Sequence, residues 1–76
     1  MVMRISYIKD FKRGDRIKYL FPNPKITGRN FIFGTVHRIG KTFIEVRSED
    51  TCRMNLTQKH LNNIEYVERE MTVSLN

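Results

Sequence analysis

The sequence has few of the features that stabilise a small protein covalently or hold it at a membrane. Cys52 is the single cysteine among 76 residues, which excludes an internal disulfide and a cysteine metal cluster and favours a reducing compartment. A lone cysteine of this kind is typically a small hydrophobe of the core. No apolar run approaches the ~20 residues of a membrane span, and residues 1–8, interrupted by Arg4 and Ser6, do not resemble a signal peptide. We therefore expect a cytoplasmic protein with no membrane partner, no metal and no other cofactor.

Acidic residues are scarce in the first two thirds of the chain. Residues 1–47 contain eleven Lys or Arg against three Asp or Glu, whereas residues 48–76 contain three against five. The two parts carry +8 and −2, which gives the net charge of +6. A basic excess of this kind favours an anionic partner, either nucleic acid or an acidic protein surface. The length fits one small domain, which buries only about 60 % of its unfolded surface and leaves little room for a catalytic cavity.

Apolar residues alternate with the period of β-strands rather than of helices. After a Gly-Asp turn, Ile17, Tyr19 and Phe21 alternate with other residues until two prolines end the strand. The loop of residues 22–30 (PNPKITGRN) follows, and we expect it to be exposed. The runs FIFGTVHR and TFIEVRS, separated by a glycine-containing turn, predict a hairpin.

Two shorter strands complete the pattern. Residues 51–56 (TCRMNL) place Cys52, Met54 and Leu56 on one face of a fourth strand. Thr57 is suited to cap a single helical turn, QKHL, and residues 64–67 form the last strand. The sequence therefore predicts an all-β fold of five strands with one short helical turn before the last strand.

This arrangement, with its longer loop after the first strand, resembles the SH3-like small barrel. The resemblance spans residues 11–67, which leaves residues 1–10 as an N-terminal segment and residues 68–76 as a tail that we expect to be flexible. The matching residues are Phe11, Gly14-Asp15-Arg16-Ile17, Gly34-Thr35-Val36, Ile44-Glu45-Val46, Leu61 and Ile64. Gly34-Thr35-Val36 is similar to the KOW-type barrels of ribosomal and transcription-elongation proteins. The length and the Gly-Asp-Arg-Ile start also resemble the plasmid-borne type II dihydrofolate reductases, which are tetramers of such barrels.

The reductase resemblance does not extend to that family's active site. Its fourth strand carries a Val-Gln-Ile-Tyr motif that lines a pore between four subunits, whereas the corresponding stretch here is Arg53-Met54-Asn55-Leu56. His37 and His60 are isolated in the sequence, and no serine or cysteine has a base at a recognisable spacing. We therefore predict a protein without enzymatic activity, with an oligomeric barrel enzyme as a remote alternative.

Residues 34–42, GTVHRIGKT, end like a nucleotide-binding P-loop. A P-loop has four residues between its two glycines, whereas Gly34 and Gly40 are separated by five. The motif also begins a helix whose N-terminus binds phosphate, and here the strand-like Phe-Ile-Glu-Val follows. We interpret the segment as a hairpin turn.

Two registers of this hairpin are compatible with the sequence. A three-residue loop at residues 38–40, with Gly40 in the left-handed region, pairs His37 with Lys41 and directs the even-numbered residues into the core. A two-residue loop at Gly40-Lys41 places Phe33 and His37 opposite Ile44 and Val46 instead. We favour the first register because it gathers Ile32, Gly34, Val36, Ile44 and Val46 in one core. The residues that it exposes are Phe31, Phe33, Thr35, His37, Lys41, Phe43, Glu45 and Arg47.

The favoured register places three phenylalanines among basic side chains on one exposed face. Exposed aromatic rings stack on unpaired bases, while Lys and Arg contact phosphates and make binding salt-dependent. The predicted residues for binding nucleic acid or another partner are Arg16, Lys18, Lys25, Arg29, Phe31, Phe33, His37, Arg38, Lys41, Phe43 and Arg47. The same aromatic residues could instead cover a second small core, pack against the N-terminal segment, or form a homodimer face.

We therefore predict a small basic module that binds nucleic acid without catalysis. The alternative is a protein-binding regulator, such as a phage-type inhibitor that docks its aromatic face or an edge strand on a host enzyme. Glu45 distinguishes the two, because a carboxylate between Phe43 and Arg47 is awkward against phosphate but suits a protein partner.

Overall fold

The chain forms short strands joined by turns and by single helical turns. The structure is a computed structural model and describes residues 2–50 and 52–69. Its strands are β1 (Val2–Met3), β2 (Arg16–Leu20), β3 (Phe31–Ile39), β4 (Phe43–Ser48), β5 (Arg53–Thr57) and β6 (Ile64–Glu68). The other elements are a 3₁₀ turn at Ile8–Asp10, the one-turn helix α1 at Pro24–Thr27 and a 3₁₀ helix at Gln58–Asn63. In this part of the chain no helix is long and apolar enough to cross a membrane.

The six strands form one antiparallel sheet in the order β1-β6-β2-β3-β4-β5. The all-β class and the helical turn before the last strand are thereby confirmed. The strand that the sequence does not predict is β1, which adds two residues from the N-terminal segment to the edge of β6. Within the described residues, β1 and β5 are the two edges and do not pair with each other, so the sheet is open. The closed barrel stays a prediction.

The core lies against one face of the sheet. Alternate residues of the strands supply it, as the strand period requires. Val36, Ile44 and Val46 are almost completely buried at the centre of the sheet. Burial of a side chain of this size contributes about 1.5–3 kcal/mol. The buried apolar residues are Ile8, Phe11, Ile17, Tyr19, Ile32, Val36, Ile44, Val46, Leu56 and Val67.

The β3–β4 hairpin has neither of the predicted registers. Val36 pairs with Val46 and Ile39 pairs with Ile44, so the chain reverses at Lys41-Thr42. The predicted three-residue loop and its two-residue alternative are both wrong. The inward and outward faces of β3 are nevertheless those predicted. Up to Val36, the observed register differs from the favoured predicted register by an even number of residues, which leaves the facing of the side chains unchanged.

Two local features explain the turn. A β-bulge leaves His37 of β3 without a partner on β4. The loop can therefore be shorter while the same side chains of β3 before the bulge face the core. Gly40 does not adopt the left-handed conformation expected of it. Its N–H donates to the carbonyl oxygen of Phe43 at 2.8 Å, and the Phe43 ring covers the position that a Cβ on Gly40 would occupy. Glycine is needed there because an aromatic ring lies across it.

Both ends of the described chain are part of the fold. The N-terminal segment supplies β1, and Ile8 is buried in the core. The predicted tail begins at residue 68, whereas β6 includes Glu68, and Arg69 donates hydrogen bonds to Asp15. Residues 70–76 of that tail lie outside the described residues.

The turn before β6 has the cap that the sequence predicts. The Thr57 backbone N–H donates to Nδ1 of His60 at 2.9 Å, which closes the first turn of the 3₁₀ helix. This contact gives a structural role to His60. Cys52, by contrast, is exposed rather than part of the core, because β5 begins one residue after it.

Candidate functional site

The outward-pointing residues of neighbouring strands form a mixed basic and aromatic surface. On β2 and β3, Arg16 lies opposite Thr35 and Lys18 lies opposite Phe33. The same rows continue onto β6, β4 and β5. We call this surface the outer face and define it by Arg16, Lys18, Phe31, Phe33, Thr35, Arg47, Arg53 and Tyr66.

Phe31 and Phe33 form the aromatic part of the outer face. Their rings pack edge to face with centroids 5.4 Å apart. Phe31 is 42 % exposed, whereas Phe33 is half-buried between its neighbours on the sheet. Phe31 therefore presents its ring to solvent, whereas Phe33 forms part of the floor of the outer face.

Lys18 lies over these two rings. Its Nζ is 4.4 Å from the ring centroid of Phe31 and 6.0 Å from that of Phe33, within the range of a cation–π contact. The carboxylate of Glu65 holds Nζ from the other side at 2.8 Å. Both partners keep contact with solvent, so the ion pair contributes little stability and can be exchanged for another anion.

Three arginines lie in one row across the outer face. Arg16 is separated from Arg47 by Thr35, and Arg47 lies directly opposite Arg53 on β5. All three side chains are exposed, and none forms an ion pair with another described residue. Like charges directly opposite each other destabilise a sheet. An anion bound across the row would relieve that repulsion.

Phe33 lies between two shallow hollows in the outer face. One has a volume of about 130 Å³ and is lined by Arg16, Phe33, Gly34, Thr35, Arg47, Ser48 and Glu49. The other has a volume of about 150 Å³ and is lined by Arg16, Ile17, Phe33, Tyr66 and Glu68. Arg16 and Phe33 are common to both. The hollows therefore combine a guanidinium, an aromatic wall and a carboxylate.

A larger groove adjoins the outer face at Tyr66, which also lines one of the hollows. Its volume is about 380 Å³, and it runs between residues 4–6, the 3₁₀ helix and β6. Arg4 and Glu65 contribute its charged groups, while Leu61 and Ile64 contribute apolar surface. None of the three arginines of the row lines this groove.

The sequence-predicted site residues separate into three groups. Arg16, Lys18, Phe31, Phe33 and Arg47 lie together on the outer face. The second group, His37, Arg38, Lys41 and Phe43, lies at the far end of the β3–β4 hairpin. The third group, Lys25 and Arg29, lies on α1 and the residues that follow it.

The hairpin group is not the exposed aromatic surface that the sequence predicts. Phe43 is half-buried against Gly40, and the Arg38 guanidinium lies 5.7 Å from its ring centroid. Glu45 is only 9 % exposed, and its Oε1 lies 4.0 Å from Nη2 of Arg38. The prediction of three exposed phenylalanines holds for Phe31 and is wrong for Phe33 and Phe43, which are half-buried.

In the loop group, one of the two cations already forms an ion pair. Arg29 forms an ion pair with Asp50 in the turn after β4, which ties the loop to that turn. Lys25 is exposed on α1. Neither residue lines the two hollows of the outer face.

Two residues of the outer face are missing from the sequence-based prediction. Tyr66 is the β6 neighbour of Lys18, and Arg53 is the β5 neighbour of Arg47. The alternation of β5 places Arg53 outward once Leu56 is assigned to the core. Tyr66 required the pairing of β6 with β2, which joins strands from opposite ends of the sequence.

No group of three or more His, Cys, Asp or Glu side chains in residues 2–50 and 52–69 is arranged to hold a metal ion. Comparisons with models of protein families, with curated proteins and with solved structures find no significant match. The SH3-like resemblance therefore rests on the sequence pattern. The antiparallel sheet described above is compatible with it.

Proposed function

We propose that the chain is a small SH3-like binding module that binds nucleic acid through its outer face and has no catalytic activity. The observation that carries this proposal is the row of Arg16, Arg47 and Arg53, which are exposed and form no ion pair in the described part of the chain, although Glu68 is the β6 neighbour of Arg16. Each cation that contacts a phosphate releases counterions, which is the main source of affinity at low salt.

The aromatic residues beside this row favour nucleic acid over a simple anion. Phe31 is exposed two rows along the strands from the arginines, and the Lys18 ammonium lies over its ring. Stacking of one base on an aromatic side chain is worth about 1–3 kcal/mol, and the adjacent cations neutralise the phosphate that follows. Glu45, whose position in the sequence favours a protein partner, is only 9 % exposed, and its Oε1 lies 4.0 Å from Nη2 of Arg38, so this carboxylate presents little charge to a phosphate at Arg47.

A protein-binding regulator is the second candidate, and one observation favours it. Within the described residues, β5 pairs with β4 on one side and with no strand on the other. Such an edge can accept a strand from another protein. A pull-down from nuclease-treated lysate that recovers one stoichiometric protein would support this candidate.

The proposal is tested by mapping backbone amide shifts during titration with a mixed-sequence single-stranded oligonucleotide at low salt. We expect the largest shifts at Arg16, Lys18, Phe33, Thr35 and Arg47. Lys25 and Lys41 serve as internal controls, since they are exposed cations away from the outer face. Shifts spread evenly over all cations, or confined to the hairpin end, would contradict the proposal.

A further inference from the structure

The two hollows beside Phe33 contain groups that phosphate does not require. Glu49 lines one hollow and Glu68 lines the other. The Glu49 backbone N–H donates to the carbonyl oxygen of Phe33 at 3.1 Å, which holds Glu49 beside β3, the strand that carries Phe33. Neither carboxylate forms an ion pair with another described residue. Each is therefore an acceptor at the rim of a hollow.

A carboxylate at such a position repels phosphate but accepts a hydrogen bond from an amino group. Among the bases, cytosine presents an exocyclic N4 amino group that Glu or Asp accepts, whereas thymine presents a carbonyl oxygen there. Each hollow also has an aromatic wall, from Phe33 and in one case Tyr66. Ring, carboxylate and guanidinium match the face, the edge and the phosphate of one nucleotide.

The outer face is too wide to enter the major groove of a duplex. The five strands from β6 to β5 at about 4.8 Å spacing give a face about 19 Å wide. The major groove of B-DNA is only about 12 Å wide and admits a helix or a two-stranded ribbon. A duplex lying on this face would present phosphates to the arginines, while its bases stayed out of reach of Phe33.

We infer that the two hollows hold two neighbouring unpaired nucleotides, one on each side of Phe33, and that Glu49 and Glu68 select bases with an exocyclic amino group, cytosine above all. This inference rests on the proposed nucleic-acid binding and names the ligand of that same surface. Arg16 lies between the two hollows and contacts the phosphate that joins the nucleotides. Arg47 contacts the phosphate beyond the Glu49 hollow.

The test compares fluorescence anisotropy titrations of labelled oligodeoxycytidine and oligothymidine of equal length, and of a mixed-sequence duplex, at neutral pH and one low salt concentration. The two homopolymers carry the same charge, so charge alone gives equal affinities. We expect oligodeoxycytidine to bind about fivefold or more tightly than oligothymidine and the duplex to bind more weakly than either.

The variants Glu49→Gln and Glu68→Gln identify the groups that select the base. We expect each variant to lose part of the preference and the double variant to lose most of it, while all three bind oligothymidine at least as tightly as the wild type, because each substitution removes a negative charge. Equal affinity of the wild type for the two homopolymers, or tighter binding of the duplex, overturns this inference and leaves the proposed function standing. Failure of all three probes to bind at low salt overturns both.

Discussion

The buried carboxylate of Asp15 accepts two hydrogen bonds from one edge of the Arg69 guanidinium. Nε of Arg69 donates to Oδ1 at 2.8 Å, and Nη2 donates to Oδ2 at 2.7 Å. Asp15 is 1 % exposed and also accepts the Lys12 backbone N–H at 2.9 Å. The contact joins the turn before β2 to the residue after β6, and so fastens the last strand to the first turn of the sheet.

This contact makes the stability of the fold depend on pH. Burial raises the pKa of the Asp15 carboxyl, but the hydrogen bonds from Arg69 and Lys12, with their charges, outweigh it and hold the pKa below its ordinary value of 3.8. A pKa lower in the folded than in the unfolded chain stabilises the fold fully above pH 3.8, and the contribution is lost as the pH falls through the folded value. We expect the urea midpoint to decrease over that range.

The substitution Asp15→Asn isolates the effect. Removal of one partner from a buried pair costs about 3–5 kcal/mol, and we expect about 2–3 kcal/mol here because a quarter of the Arg69 side chain is exposed. The variant should also lose part of the acid dependence of its urea midpoint. A variant as stable as the wild type at neutral pH would contradict the structural role of the pair.

Gly34→Ala should destabilise the sheet. A Cβ at this position would overlap Cγ1 of Val46 and lie 3.2 Å from the carbonyl oxygen of Arg47. Overpacking of this kind costs about 1–3 kcal/mol, measured by urea unfolding. Thr35→Ala, at the exposed neighbouring position, is the matched control and should change stability by less than about 0.5 kcal/mol.

Glu65→Gln should raise the affinity for a single strand by releasing Lys18 for phosphate. We expect a gain of about two- to fivefold, since an exposed ion pair is worth up to about 1 kcal/mol. A double-mutant cycle with Lys18→Gln provides the control, because the effect of Glu65→Gln should largely disappear when Lys18 is absent. An equal gain in both backgrounds would show that Glu65 acts through its charge alone.

Phe31→Leu should weaken binding without unfolding the protein. The loss of one stacking platform corresponds to about 1–3 kcal/mol of binding free energy, and an exposed position adds little to stability. Phe43→Leu is the matched control, since Phe43 lies at the hairpin end, away from the outer face. Similar affinities of the two variants would argue against stacking on Phe31.

The sequence predicts much of this fold because its strands alternate. Ile17, Tyr19, Ile32 and Val36 are assigned to the core by period alone, and the structure buries all of them. The hairpin register is not accessible in the same way. It depends on the bulge at His37 and on a ring lying over a glycine, both of which arise from packing between strands.

The candidate site is predictable where it lies on β2 and β3 and, at Arg47, on β4. Their neighbouring rows bring Arg16, Lys18, Phe31 and Phe33 together as strand alternation indicates. The hairpin residues are wrongly grouped with them, because alternation reports which face a residue occupies and not how far along the strand it lies. Strand alternation does not predict that Tyr66 belongs to the site, because its position beside Lys18 depends on a pairing between residues 48 positions apart.

The most direct test of the central claim is the salt dependence of single-strand binding in two variants that lose the same charge. Arg47→Gln removes a cation of the outer face, and Lys41→Gln removes one at the hairpin loop. We predict that Arg47→Gln lowers affinity and reduces the slope of log K against log salt by about 0.7, while Lys41→Gln leaves the slope at the wild-type value. Equal slopes in the two variants, or no binding by the wild type at low salt, would contradict the account.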